Sequence, residues 1–170
     1  MKKKFLCLAV SLLLALVAYG EVKEQHATFP YYEYVVSSNG TPADLKNKVL
    51  NWSKTEYDRT EFYVIEEGDA VVIDGKSWIS KGEMGVCPVT FHFTMKFEFK
   101  DGRFKNVTRV TKAMVQDGML PRVLDRMKYY TSETNNSRNR ARDLEIFHQK
   151  LLKWIEDIST TSAEQPNSDW

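Results

Sequence analysis

The sequence predicts an α+β fold: an antiparallel sheet that is apolar on one face, one helix laid across that face, and further helices at the C-terminal end. Three observations carry this. The stretch Val89–Lys100 alternates strictly, with Val89, Phe91, Phe93, Met95, Phe97 and Phe99 on one side and Thr90, His92, Thr94, Lys96, Glu98 and Lys100 on the other, and a period of two belongs to a strand. A strand that is wet on one side belongs to an antiparallel sheet, because parallel sheets bury both faces and read as unbroken apolar runs. Apolar residues at helical spacing recur twice, up to Trp52 and again from Leu144 to Ile158, on either side of the β-rich middle.

With 170 residues, 42% of them hydrophobic and 28% charged, the chain has the make-up of one folded domain, not of a disordered or membrane protein. Its first residues are the exception. Residues 1–4 are basic, residues 5–17 apolar, and Ala18-Tyr19-Gly20 sets small residues where signal peptidase cuts, so residues 1–20 are expected to be a signal peptide and the mature chain to start near Glu21. The apolar run is shorter than the ~20 residues of a spanning helix, so no transmembrane segment is expected after cleavage. The expected location is exported, periplasmic or secreted. Loss of Lys2, Lys3 and Lys4 would move the formal charge from +1 to about −2, which gives no bulk attraction to nucleic acid. Of two cysteines, Cys7 falls in the leader, so the mature chain has no internal disulfide and Cys87 reads as a small buried hydrophobe, with a reactive or intermolecular thiol as the other reading.

Residues 27–36, aromatic and β-branched, read as a strand whose start is confined by Pro30. Thr41-Pro42 followed by Asp44 reads as an N-cap, a proline at the first helical position and a capping acid. The helix that follows places Leu45, Val49 and Trp52 on one side and Lys46, Lys48 and Lys54 on the other, so it is the expected lid for the phenylalanine face. Residues 62–65, 70–73 and 76–81 read as strand segments. Asp74-Gly75 between the last two reads as a hairpin turn, while Gly68-Asp69 is left open as a second turn or a bulge. Residues 82–88 form a loop into the central strand. Asp101-Gly102 is a hairpin signal that sets Phe104 across from Phe99. Asn106 breaks the apolar alternation of the next strand, which suggests a bulge there or a change of face at Val107. Asp117-Gly118 closes the β region. Residues 120–130 read as a short helix, residues 131–137 as a polar linker, and Leu144, Phe147, Leu151, Trp154, Ile155 and Ile158 as the stripe of a last helix. The expected division is a domain over 27–115, a helical extension over 119–158 and a disordered tail over 159–170.

Leu45, Trp52, Gly75, Lys76, Lys81, Gly82, Phe91, Phe93, Phe97 and the run Lys100-Asp101-Gly102-Arg103-Phe104 give the chain a resemblance to a family. It resembles the domain-of-unknown-function family with a TATA-binding-protein-like (TBP-like) fold found in exported proteins of Bacteroides-type bacteria. The resemblance spans about residues 32–110. It implies a curved antiparallel sheet of β-α-β-β-β-β order with a helix on one face, and it implies no catalytic residue. The likeness to the TATA-binding protein concerns topology, and a slightly acidic exported chain lacks the basic surface that DNA binding needs.

No residue pattern points to catalysis, a cofactor or a metal. Cys87 and His92 stand five apart with Pro88 between them, which puts them on opposite faces and out of reach of the hydrogen bond that a nucleophile and its base require. Glu66, Glu67 and Asp69 lack the alternation of a calcium loop and read as a solvated turn. His26 is expected near a mobile new N-terminus, and His148 has no partner at metal-ligand spacing. The residues expected to meet a partner are His92, Thr94 and Lys96 on the wet side of the central strand, and Arg138, Arg140 and Arg142 at the start of the last helix, where cations oppose the helix dipole. The partner class is an envelope protein, a peptide or a glycan, and the expected function is a non-catalytic binding module, with an envelope hydrolase using Glu66, Glu67, Asp69 or His92 as the alternative.

Overall fold

The computed structural model describes residues 21–56, 61–80, 87–116, 123–134 and 137–163. The expected signal peptide, the expected turn at Asp117-Gly118, most of the expected loop over 82–88 and the residues beyond 163 lie outside the described residues. Seven strands form one antiparallel sheet: β1 (Val22–Thr28), β2 (Tyr31–Ser37), β3 (Glu61–Glu67), β4 (Ala70–Ser80), β5 (Val89–Lys100), β6 (Arg103–Gln116) and β7 (Val123–Asp125). The order is β1-β2-β6-β5-β4-β3, with β7 paired to the end of β6. The described residues also form three helices: α1 (Pro42–Glu56), α2 (Met127–Thr131) and α3 (Arg138–Thr160).

The central strand follows its alternation except that Thr90, on the outward side, is buried at 5% exposure and Phe99, on the apolar side, only partly so. Phe91, Phe93, Met95 and Phe97 are 0–1% exposed, and Val89 is buried beside them. At the β5–β6 hairpin Gly102 takes φ 70°, the left-handed value that an Asp-Gly turn supplies, and Phe99 pairs with Phe104. The start of α1 is a capping box: the Thr41 N–H donates to Asp44 Oδ2 at 2.9 Å, and the Asp44 N–H donates back to Thr41 Oγ1 at 3.3 Å. The Thr41 N–H, together with the Thr41 hydroxyl that donates to the same Asp44 Oδ2 at 2.8 Å, holds the Asp44 carboxyl below the usual aspartate range. Leu45, Val49 and Trp52 are then buried against the sheet.

The lid is double. Phe147, Leu151, Trp154, Ile155 and Ile158 of α3 are buried in the same apolar cluster as α1 and the sheet. Phe93 lies 5.6 Å from Phe147 and 5.5 Å from Trp154 between ring centroids, and Phe91 lies 5.4 Å from Phe147. Trp154 also meets Trp52 at 6.1 Å and Phe62 at 5.6 Å. The helix outside the family resemblance thus covers the middle of the sheet, and the core draws on residues from both sides of the expected boundary between domain and extension.

Several expectations are corrected. Residues 27–36 form two strands rather than one, because Pro30, which has no N–H to give a ladder, sits in the turn between β1 and β2, and the sheet begins at Val22. His26 is accordingly part of β1, its ring 5.4 Å from that of Tyr31. The hairpin before β4 is at Gly68-Asp69, where Gly68 has φ 59°, and Asp74-Gly75 runs on inside β4. A Cβ on Gly75 would lie 2.5 Å from Phe93 Cζ and 2.9 Å from Phe62 Cδ1, so this glycine marks a close approach rather than a turn. Asn106 neither bulges nor turns outward. It points into the core at 0% exposure and its Oδ1 accepts from Thr108 Oγ1 at 2.8 Å. The register shift of β6 comes later, between Val110 and Lys112, where Thr111 Oγ1 donates to the His92 carbonyl at 3.3 Å. Where the expected helix over 120–130 falls on described residues it is strand β7 followed by the short α2. The last helix runs two residues further than expected, to Thr160.

Candidate partner-binding surfaces

The alternation that buries the phenylalanines leaves the other face of the sheet without a helix among the described residues. On its three central strands the outward residues include Lys76, Lys96, Lys100, Arg103, Lys105, Arg109 and Lys112, against the acids Asp74 and Glu98. Edge carboxylates balance part of this: Glu61 pairs with Lys76 at 3.1 Å and Glu33 with Lys105 at 2.9 Å. Hydrogen bonds from Lys105 and Tyr31 hold the Glu33 carboxyl below the ordinary glutamate range. Exposed rings stand among the charges. Tyr63 is 68% exposed and Trp78 44%, with the Lys76 Nζ 5.8 Å from the Trp78 ring centre, within cation–π range.

His92, Thr94 and Lys96 form one outward column of this face. His92 sits between Lys76 and Lys112 in the cross-strand register. Partial burial, reinforced by these two ammonium groups, lowers its pKa. Thr94 Oγ1 donates to Asp74 Oδ1 at 2.5 Å, and Lys96 pairs with Glu98 at 3.0 Å. Lys112 would point inward if the alternation of Phe104 continued, and the irregularity at Thr111 turns it out. That shift has no signature in the sequence, so the basic row around His92 was not legible there. Trp78 was legible, since it alternates with Ser77 and Ile79, which are both buried.

The arginines lie on the other side of the sheet, and the structure separates their tasks. Arg138 is exposed at the first residue of α3. Arg140 donates from Nε and Nη2 to the Tyr130 carbonyl at 3.0 and 2.8 Å, closing the end of α2. Arg142 donates to Asp143 Oδ1 at 3.1 Å, and the other oxygen of this buried carboxylate accepts from the Tyr130 hydroxyl at 2.8 Å. Burial and the bond to Asp143 push the Tyr130 phenol far above its ordinary pKa. Arg142 and Asp143 line a cleft of about 240 Å³ with Cys87, Val89, Val115, Arg126 and Tyr129. Cys87 is exposed there, which corrects its reading as a buried hydrophobe. Pro88 holds it ahead of the first buried position of β5, so the thiol stops at the cleft instead of entering the core. Glu66 is ion-paired to Lys46 at 2.8 Å. Among the described residues no three His, Cys, Asp or Glu side chains are grouped to hold a metal, and no helix is long and apolar enough to cross a membrane.

No protein-family model matches the chain, and no curated protein matches it. Among solved structures it is similar to a TBP-like protein from Parabacteroides distasonis, with a TM-score of 0.57 at 10% identity over 78% of this chain and 94% of the other. It is also similar to a DUF4468 family protein from Bacteroides ovatus, with a TM-score of 0.57 at 8% identity over 80% of this chain and 89% of the other. At such identities the likeness is one of fold. The chain has the TBP-like α+β fold, a curved and unclosed antiparallel sheet with helices on one face, as the resemblance in its sequence implied.

Proposed function

We propose that this chain is an exported, non-catalytic module of the cell envelope whose open sheet face binds the acidic surface of another protein. The observation that carries the reading is the seven-to-two excess of cations over acids on the outward side of β4, β5 and β6, in a chain whose formal charge is only +1. Charge complementarity of this kind steers association and sets specificity, and exposed Trp78 and Tyr63 are the residue types that anchor interfaces. The dimensions suit a protein rather than a glycan chain. Six strands about 4.8 Å apart and a long β5 rising about 3.3 Å per residue give a face of roughly 900 Å², near the ~800 Å² that each partner contributes to a standard interface.

The test uses the chain immobilised against native envelope extract, beside a triple variant Lys76→Glu, Lys96→Glu, Lys112→Glu and a Trp78→Ala variant. A protein retained by the parent at low salt, released as salt rises and lost from both variants supports the reading. Retention that ignores these substitutions, or that passes to an acidic polysaccharide resin, overturns it. Export is tested separately: the envelope form should begin near Glu21 on N-terminal sequencing, and a form that keeps residues 1–20 in the cytoplasm would refute it.

A further inference from the structure

The cleft beside Cys87 lies on the helix side of the sheet and is independent of the open face. Its walls come from four elements: the lead-in and first residue of β5, the end of β6, the segment through α2, and the first turns of α3. The floor is apolar, with Val89 buried and Val115 partly so. Two arginines are among its lining residues, Arg126 from the residue before α2 and Arg142 from α3. Asp143, 3% exposed, is spoken for by Tyr130 and Arg142, so it orients Arg142 from behind. One Arg142 N–H is committed to that carboxylate, and a guanidinium fork has five donors to offer. The remaining charged neighbour, Asp125 on β7, accepts the Met127 N–H at 3.0 Å and is not among the residues that line the cleft.

From two arginines that line one cleft beside an apolar floor we infer that the cleft is a binding site for a small organic oxyanion. Its carboxylate or phosphate head sits between Arg126 and Arg142, and a compact apolar tail rests on Val89 and Val115. Arginine suits both heads because its planar fork matches their paired oxygens. The thiol of Cys87 lines the same cleft and reports on it without taking part.

The experiment measures alkylation of Cys87 in the full chain, read on the peptide that carries it, with anionic iodoacetate and neutral iodoacetamide. The ratio of the two rates cancels the reactivity of the thiol itself and leaves the local field. One uncompensated unit charge about 7 Å away in water is worth roughly threefold in rate. The folded chain should therefore favour iodoacetate, relative to the urea-unfolded chain, by about threefold or more, and Arg126→Gln should remove most of that preference. Arg126 is exposed, so this variant leaves the core untouched; Arg142→Lys, which keeps a charge over Asp143, should retain the preference. Benzoate or phenyl phosphate should slow iodoacetamide in a saturable way, at least fivefold at saturation, while benzylamine should not. Stronger protection by one of the two anions assigns the head group. Equal ratios in folded and unfolded chain, a ratio unchanged in Arg126→Gln, protection that never saturates, or equal protection by benzylamine each overturns the site.

Discussion

Gly75→Ala adds one methyl group at the most crowded point of the sheet. That Cβ would stand 2.5 and 2.6 Å from Phe93 Cζ and Cε2 and 2.9 Å from Phe62 Cδ1, all closer than carbon atoms approach. The backbone is not the obstacle, because Gly75 is not among the residues of positive φ. Phe93 has nowhere to retreat: it is 1% exposed and flanked by Phe62, Phe147 and Trp154 with centroids 5.5 to 6.1 Å away. Overpacking of this kind costs about 1–3 kcal/mol, offset by the roughly 0.4–1 kcal/mol that alanine gains by restricting the unfolded chain. A net loss of about 1.3 kcal/mol lowers the melting temperature by roughly 3–5 °C for a domain of this size. Urea denaturation followed by tryptophan fluorescence gives the free energy directly. A second arm pairs the substitution with Phe93→Leu, which vacates the space the methyl group needs. The double variant should be more stable than the sum of the singles by over about 1 kcal/mol. A Gly75→Ala protein as stable as the parent, or strictly additive effects, would refute the close-approach argument.

Other outcomes follow from the same geometry. Thr41→Ala removes the hydroxyl that caps α1 and should cost about 1 kcal/mol in urea denaturation. Because the Asp44 pKa is lowered in the fold, the stability it brings is present above the ordinary aspartate pKa and is lost as pH falls through the folded value. The parent should therefore lose stability on acidification more steeply than Asp44→Asn does. Tyr130→Phe leaves the buried Asp143 carboxylate short of a donor and should cost about 1–3 kcal/mol, whereas Tyr129→Phe, at a part-buried hydroxyl bonded to Ser137, should cost less. His92 should titrate in an NMR pH series below the ordinary histidine value, and Lys76→Gln should raise its pKa. Since the unfolded chain binds that proton more readily, His92 favours the fold above the ordinary histidine pKa and opposes it on acidification. An unshifted His92 would argue against the packed basic row.

What the sequence disclosed was whatever local chemistry decides. The strict alternation of Val89–Lys100, the Asp101-Gly102 turn and the Thr41/Asp44 box each specify their own geometry within a few residues, and each stands as read. The misreadings fall where a distant residue decides. Asp74-Gly75 carries a turn signal, yet the glycine is set by the rings of Phe93 and Phe62 across the sheet. Asn106 looks like a defect in an apolar face, yet Thr108 and the core enclose it, and its Nδ2 has no hydrogen-bond partner among the described residues. Strand β1 is polar enough to hide, and it is held partly by His148 of α3, whose Nε2 lies 3.1 Å from Glu24 Oε2. The candidate surfaces divide the same way. The column His92, Thr94, Lys96 follows from periodicity, whereas Lys112 depends on an irregularity and the Cys87 cleft on how α2 and α3 fold back.

The dependence of Phe91 and Phe93 on Phe147 and Trp154 orders events during synthesis. The chain makes its strands first and the second half of their cover last: Phe147 follows Phe93 by more than fifty residues and the end of β7 by about twenty. Contacts this remote in sequence close slowly. A nascent chain therefore cannot finish its interior before its final helix has been made.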